Sequence, residues 1–171
     1  MKKLLYGISA AFLLLVFSHQ SSTAQLKRFS IGPYVEAGFP AGDFGDSYKT
    51  GIGVGLGADV KLIAGLGVTG SVGYMRFGGK EVEVSDGSTA KVPALTAVPV
   101  RVGLKYKFIP LLYVKVEGGV ANFTGKNDGS AAIFAPGIGL RIIGLDVEAK
   151  YEAWFKDGTH GFFGLKAGYN F

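Results

Sequence analysis

Cysteine is absent from all 171 residues, which excludes disulfides, thiol chemistry and lipid attachment at a lipoprotein cysteine. Histidine occurs only as His19 and His160, too few for the imidazole clusters that bind metals or relay protons. Charged residues make up 18% of the chain, and the modest basic surplus is spread out rather than gathered in runs. That argues against nucleic acid as a partner. Beyond Phe17 no stretch is long and apolar enough to cross a bilayer as a helix.

What is abundant is glycine, with 28 residues that follow no collagen period and form no low-complexity tract. The chain opens with MKKLLYGISAAFLLLVF. Lys2 and Lys3 form a basic head, Leu4 to Phe17 an apolar core, and Ser22-Thr23-Ala24 a small-residue cleavage site. These features define a secretory signal peptide over residues 1–24 and a single mature domain over 25–171. Without Lys2 and Lys3 the mature part keeps 16 basic and 13 acidic residues.

Along the mature chain apolar and polar residues alternate with period two, broken at regular places. Such alternation describes strands with one apolar face. Eight segments follow it: Phe29–Phe39, Gly51–Leu62, Leu66–Arg76, Ala94–Phe108, a fifth from Leu112, a sixth over Phe134–Ile142, Leu145–Phe155 and Gly161–Phe171. Ile63-Ala64-Gly65, Ile109-Pro110 and Ile143-Gly144 are tight connections. Ala41–Thr50, Phe77–Lys91, Thr124–Ala131 and Lys156–His160 are longer and more polar. Short periplasmic turns, long outer loops and an even strand number are the pattern of outer-membrane barrels, with both ends of the mature chain periplasmic.

The charges separate lipid from water as the surrounding medium. Fourteen ionisable residues share the polar parity: Glu36, Asp59, Lys61, Arg101, Lys105, Lys107, Lys115, Glu117, Arg141, Asp146, Glu148, Lys150, Glu152 and Lys166. Arg76, at a strand end, is the exception on the apolar parity. An Arg or Lys facing lipid near the midplane costs about 2–4 kcal/mol. A one-residue slip would therefore exceed a typical total stability of about 5–15 kcal/mol. The expected fold is all-β: an eight-stranded antiparallel up-and-down transmembrane β-barrel behind a cleaved signal peptide. Its interior is only wide enough for side chains to fill, so buried charges must pair. The expected lumen network comprises Glu36, Arg101, Lys105, Lys115, Glu117, Arg141, Asp146, Glu148, Lys150, Glu152 and Lys166. Folding about Ile143-Gly144 sets Arg141 opposite Asp146, and folding about the last loop sets Lys150 opposite Lys166. Outward aromatics should form two girdles, with Phe39, Tyr74, Phe134, Tyr151, Phe155 and Phe163 at one level. Phe29, Tyr106, Phe108, Tyr169 and Phe171 mark the other.

The mature chain resembles the small outer-membrane β-barrel proteins of the OmpX and OmpA-transmembrane-domain class, in the form common in Bacteroidetes. The resemblance rests on Ala24-Gln25, the strand Val98-Pro99-Val100-Arg101-Val102-Gly103-Leu104-Lys105-Tyr106-Lys107-Phe108, Pro136-Gly137-Ile138-Gly139-Leu140, and the ending Tyr169-Asn170-Phe171. It implies that Tyr169 and Phe171 are read by the barrel-assembly machinery during biogenesis. It also implies contact with outer-membrane lipid and lipopolysaccharide, while molecular roles differ widely within the class.

Candidate sites are few. Small barrels include lipid-A deacylases and palmitoyl transferases, which need a nucleophile and base near the outer rim. His160 is the one histidine of the mature chain; Phe162 stands where the deacylase serine would be, and a solvated loop histidine is the stronger reading. Gly51–Gly57 alternates straight through a strand and does not turn into a helix as a phosphate loop must. Asp43 and Asp46 read as turn residues rather than a calcium site. Arg76 is a rim charge or a lipopolysaccharide phosphate contact. Phe77–Lys91 is either a mobile loop or a protruding hairpin, with Val82 and Val84 flanking a turn at Ser85-Asp86-Gly87; a hairpin would suit partner binding by strand addition. No cofactor or metal is expected, and the barrel is expected to be monomeric. The function this supports is a non-enzymatic, structural or loop-mediated role at the cell surface, with a narrow pore and a lipid-A-modifying enzyme as alternatives.

Overall fold

The computed structural model describes residues 28–83, 89–124 and 129–171. The expected signal peptide, residues 1–24, and the hairpin tip, Val84, Ser85, Asp86 and Gly87, lie outside the described residues. In chain order the strands are β1 (Phe29–Ala41), β2 (Tyr48–Lys61), β3 (Leu66–Gly79), β4 (Glu81–Glu83), β5 (Thr89–Lys91), β6 (Leu95–Lys107), β7 (Leu112–Thr124), β8 (Gly129–Ile142), β9 (Leu145–Phe155) and β10 (Thr159–Tyr169). One helical turn, α1 (Asp43–Ser47), lies between β1 and β2.

Eight of these strands close into one antiparallel barrel in the order β1-β10-β9-β8-β7-β6-β3-β2. The seam is made by β1 and β10, where Glu36 is paired with Lys166 and Phe39 with Phe163. Beyond β10 the ladder continues, because the Phe171 N–H donates to the Ile31 carbonyl at 3.0 Å. β4 and β5 pair only with each other, from Glu81 opposite Lys91 to Glu83 opposite Thr89, and rise as a separate hairpin from β3 and β6.

Polarity is inverted relative to a water-soluble barrel. Val100, Leu140 and Leu165 look outward at 44%, 43% and 52% exposure, while Lys105 and Glu148 are buried inside. The outward aromatics Phe39, Tyr74, Phe134, Phe163 and Phe155 are exposed toward the loop end, and Phe29, Tyr106, Tyr169 and Phe171 toward the turn end. Parity in the sequence thus becomes inside and outside in the barrel, because a strand's side chains alternate between faces.

Glycine makes the narrow lumen possible. Lys150 lies between Gly164 on β10 and Gly137 on β8, and Arg101 has Gly119 beside it on β7. Small neighbours leave the long charged chains room to cross the lumen. Tyr34 fills the space left by Gly55 and Gly73: a Cβ at either would stand 2.5 Å from its hydroxyl.

The loop end departs from the sequence expectation in four places. β3 continues past Arg76, so Phe77 belongs to a strand and is buried in the barrel rather than opening a loop. Ala41–Thr50 is largely structured, with Asp43 and Asp46 on α1 and Phe44 buried. β8 reaches back to Gly129 rather than starting at Phe134, so residues expected in a loop belong to a strand. Most consequentially, β9 and β10 are joined tightly through Lys156–Gly158, with Phe155 paired to Thr159. Asp157 and Gly158 take positive φ, 49° and 141°, which lets three residues reverse the chain. Lys150 therefore faces Gly164, and Lys166 faces Glu148, not Lys150. A shorter turn moves the register by two residues and replaces a like-charge pair with an opposite-charge one. His160 consequently lies in β10 rather than in a loop.

Candidate functional site

The inward face divides into an ion-pair stack on the turn side and an apolar plug on the loop side. Nearest the turns, Arg141 and Asp146 are Cα partners across the β8–β9 hairpin, and Arg141 Nε donates to Asp146 Oδ2 at 2.6 Å. Arg141 also pairs with Asp59 from β2, and Lys105 reaches Asp59 at 2.9 Å and Asp146 at 3.5 Å. The Tyr113 hydroxyl donates to Asp146 at 2.5 Å, and its ring carries the Lys105 ammonium 4.2 Å from its centroid.

In the middle of the barrel, Lys115 bridges Glu148 at 2.5 Å and Glu117 at 3.0 Å. Lys105 and Lys115 are cross-strand neighbours on β6 and β7. They are kept compatible by turning to different carboxylates, one pair toward the turns and one toward the centre. Lys166 rests its ammonium over the Tyr34 ring, 4.2 Å from the centroid.

Above them lies the tightest cluster. Glu152 accepts from Arg101 Nη2 at 2.8 Å and Nε at 3.2 Å, from Lys150 at 2.5 Å and from Trp154 Nε1 at 2.6 Å. Glu36 completes it, 2.8 Å from Lys150 and 3.6 Å from Arg101. Pairing is what makes burial of these charges tolerable, since an isolated one would cost several kcal/mol; Lys166 has the Tyr34 ring beneath its ammonium instead. All eleven residues expected in the lumen network lie on the inward face, and Asp59 joins them as a hub. Lys61 and Lys107, on the same parity, end up at the turn rim instead, where Lys61 is exposed.

On the loop side the buried cluster is apolar. Phe44 from α1, Met75 and Phe77 from β3, Trp154 from β9 and Phe162 from β10 pack against Ala97, Ala121, Ala131 and Ile133. Phe77, Trp154 and Phe162 meet edge to face at centroid distances of 5.2–5.8 Å. Phe44 caps this group 5.0 Å from Phe77, and α1 is tied down by Lys80, whose ammonium donates to the Gly45 carbonyl at 2.6 Å. Sequence reasoning missed this plug. Its signal is legible afterwards: the inward positions at strand tops hold Met75, Phe77, Trp154 and Phe162, with inward alanines on the facing strands.

His160 packs against Phe44 at 5.2 Å between ring centroids. No group of three or more His, Cys, Asp or Glu side chains arranged for a metal occurs among the described residues. Arg76 is exposed on the outer surface beside Ile52 and Thr96. The cavity among the turn-side charges measures about 30 Å³ and is lined by Asp59, Lys105, Asp146, Glu148 and Lys166. That is room for about one water.

A closed eight-stranded barrel with an oily exterior and a charge-packed interior has the fold of small outer-membrane β-barrels. No protein-family model matches the chain, and no curated protein matches it. Its fold is similar to that of the Yersinia pestis outer membrane protein Ail in a phospholipid bilayer nanodisc. The TM-score is 0.55 at 18% identity, covering 82% of this chain and 99% of that one. Crystalline Ail in complex with the heparin analogue sucrose octasulfate gives a TM-score of 0.51 at 20% identity, over 84% and 97%. A de novo designed transmembrane β-barrel gives 0.52 at 16% identity, over 83% and 95%.

Proposed function

We propose that the protein is an integral outer-membrane barrel with a sealed lumen, non-enzymatic, that serves the cell envelope structurally or through its loop-end surface. The observation that carries this is the cross-section formed by Arg101, Glu152, Lys150 and Trp154, buried and mutually bonded beneath the Phe77–Phe162 layer. Ions crossing here would have to break several charge-assisted hydrogen bonds and then part an aromatic plug. The tight turns and both ends of the described chain face the periplasm, and α1 and the β4–β5 hairpin face outward. Outer-membrane lipid and lipopolysaccharide surround it as a monomer, and Tyr169 and Phe171 present the assembly signal to the barrel-assembly machinery. A protein partner at the loop end would meet the unpaired edges of β4 and β5.

Reconstituted in planar bilayers, the protein is expected to show no conductance approaching that of a general porin. Porin-level currents from the purified barrel would refute the sealed lumen and favour the narrow-pore reading. For the enzymatic alternative, His160→Ala is expected to leave the lipid A of producing cells unchanged by mass spectrometry. Loss of an acyl modification in that variant would make His160 a catalytic base.

A further inference from the structure

The turn end of the barrel is more apolar than water-facing hairpins require. Ile63, Ile109, Leu111 and Ile143 are exposed there, adjoining Phe108 and Phe171. Turns of this kind ordinarily carry Asn, Asp and Gly. Ile143 is the sharpest case: it is 93% exposed and sits at φ 48°, followed by Gly144 at φ 84°. Two successive positive φ values make the type I′ turn, whose first position suits Asn or Gly. A β-branched residue there is strained. In water this isoleucine would carry that strain and expose a large apolar side chain as well. Contact with lipid reverses the second effect.

Two further observations identify what covers this rim. First, the crown is continuous with the oily exterior, since Leu62 and Ile142 prolong the outward rows of Val60 and Leu140 without a polar break. Second, the side-chain charge offered at this end is positive. Arg28 and Lys61 are exposed and Lys107 is half-buried, whereas Asp59 and Asp146 are buried and engaged with Lys105 and Arg141. Long basic side chains reach the phosphate level while their stems lie along apolar surface. Apolar tips flanked by cations fit an interface of anionic lipids.

We infer that the turn end is a lipid-binding rim, in which Ile63, Ile109 and Ile143 enter the acyl boundary of the adjacent leaflet. Arg28, Lys61 and Lys107 hold the phosphates of anionic phospholipids around them. This rests on the membrane-spanning reading above and names the lipid class that one end selects.

The chain's lack of cysteine allows a direct test. Single variants Ile63→Cys, Ile143→Cys, Val102→Cys and Asp157→Cys are labelled with a nitrobenzoxadiazole fluorophore. They are then folded into vesicles of phosphatidylcholine, with or without phosphatidylglycerol. Labels at 63 and 143 are expected to emit to the blue, to be quenched by chain-brominated lipid and to resist aqueous iodide, opposite to the label at 157. Phosphatidylglycerol should strengthen the shift, and adding Lys61→Gln with Lys107→Gln should remove that dependence. Iodide quenching at 63 and 143 as free as at 157, with the label at 102 still protected, overturns the lipid rim alone. Iodide access at 102 as well overturns the membrane-spanning reading itself. A shift at 63 and 143 that ignores phosphatidylglycerol refutes the anionic selectivity.

Discussion

Glu152→Ala is expected to lower folding stability in phospholipid vesicles by about 3–5 kcal/mol, the cost of breaking a buried ion pair from one side. The carboxylate is fully buried and takes hydrogen bonds from Arg101, Lys150 and Trp154. Its loss leaves Glu36 as the nearby acid for two buried cations, with Arg101 at 3.6 Å. The paired replacement Arg101→Met with Glu152→Leu should cost far less than either single change. It removes one charge of each sign and leaves Lys150 with Glu36 at 2.8 Å. Urea titration of folding into vesicles for Arg101→Met, Glu152→Leu and the pair gives the coupling energy, the pair's loss less the sum of the two single losses. A single-variant loss below about 1 kcal/mol, the scale of exposed pairs, would mean that water reaches this cluster.

The second large effect concerns the other face of the same strand. Val102 follows Arg101 directly, yet is 63% exposed on the exterior, between Gly70 on β3 and Gly118 on β7. Val102→Arg is expected to destabilise the barrel by about 2–4 kcal/mol in a bilayer, as for a cation near the hydrocarbon midplane. Thr89→Arg, exposed on β5 at the loop end, should lie within about 0.5 kcal/mol of wild type, as surface changes usually do. Equal stabilities for the two variants would mean that the apolar exterior does not face lipid. One residue's shift along the chain thus separates a cation that the fold requires from one that it rejects.

Strand positions and facing were legible because the selection acts on each residue's own parity. Arg101, Lys105 and Lys115 are inward and Val100, Val102 and Leu104 outward, as alternation demands. The Arg141–Asp146 pairing was legible too, since a two-residue turn at Ile143-Gly144 sets its own register. Register across the last hairpin was not: Asp157-Gly158 signals a turn, but the dipeptide does not say how many residues separate the last paired positions. Asp157 at φ 49° and Gly158 at φ 141° close the turn early, and only that geometry brings Lys166 opposite Glu148. α1 was read as loop because five residues carry too little periodicity to register.

By itself, the sequence determined the all-β character, the inside-out polarity and the list of charges that must share an interior. Those properties are local, decided residue by residue by the cost of facing the wrong medium. The tertiary structure decided which charge meets which: Asp59 between Arg141 and Lys105, Glu152 beneath Trp154, and Phe44 set down on Phe77 as a cap. These contacts join strands far apart in the chain. They depend on the stagger with which eight strands close, a quantity no single strand encodes.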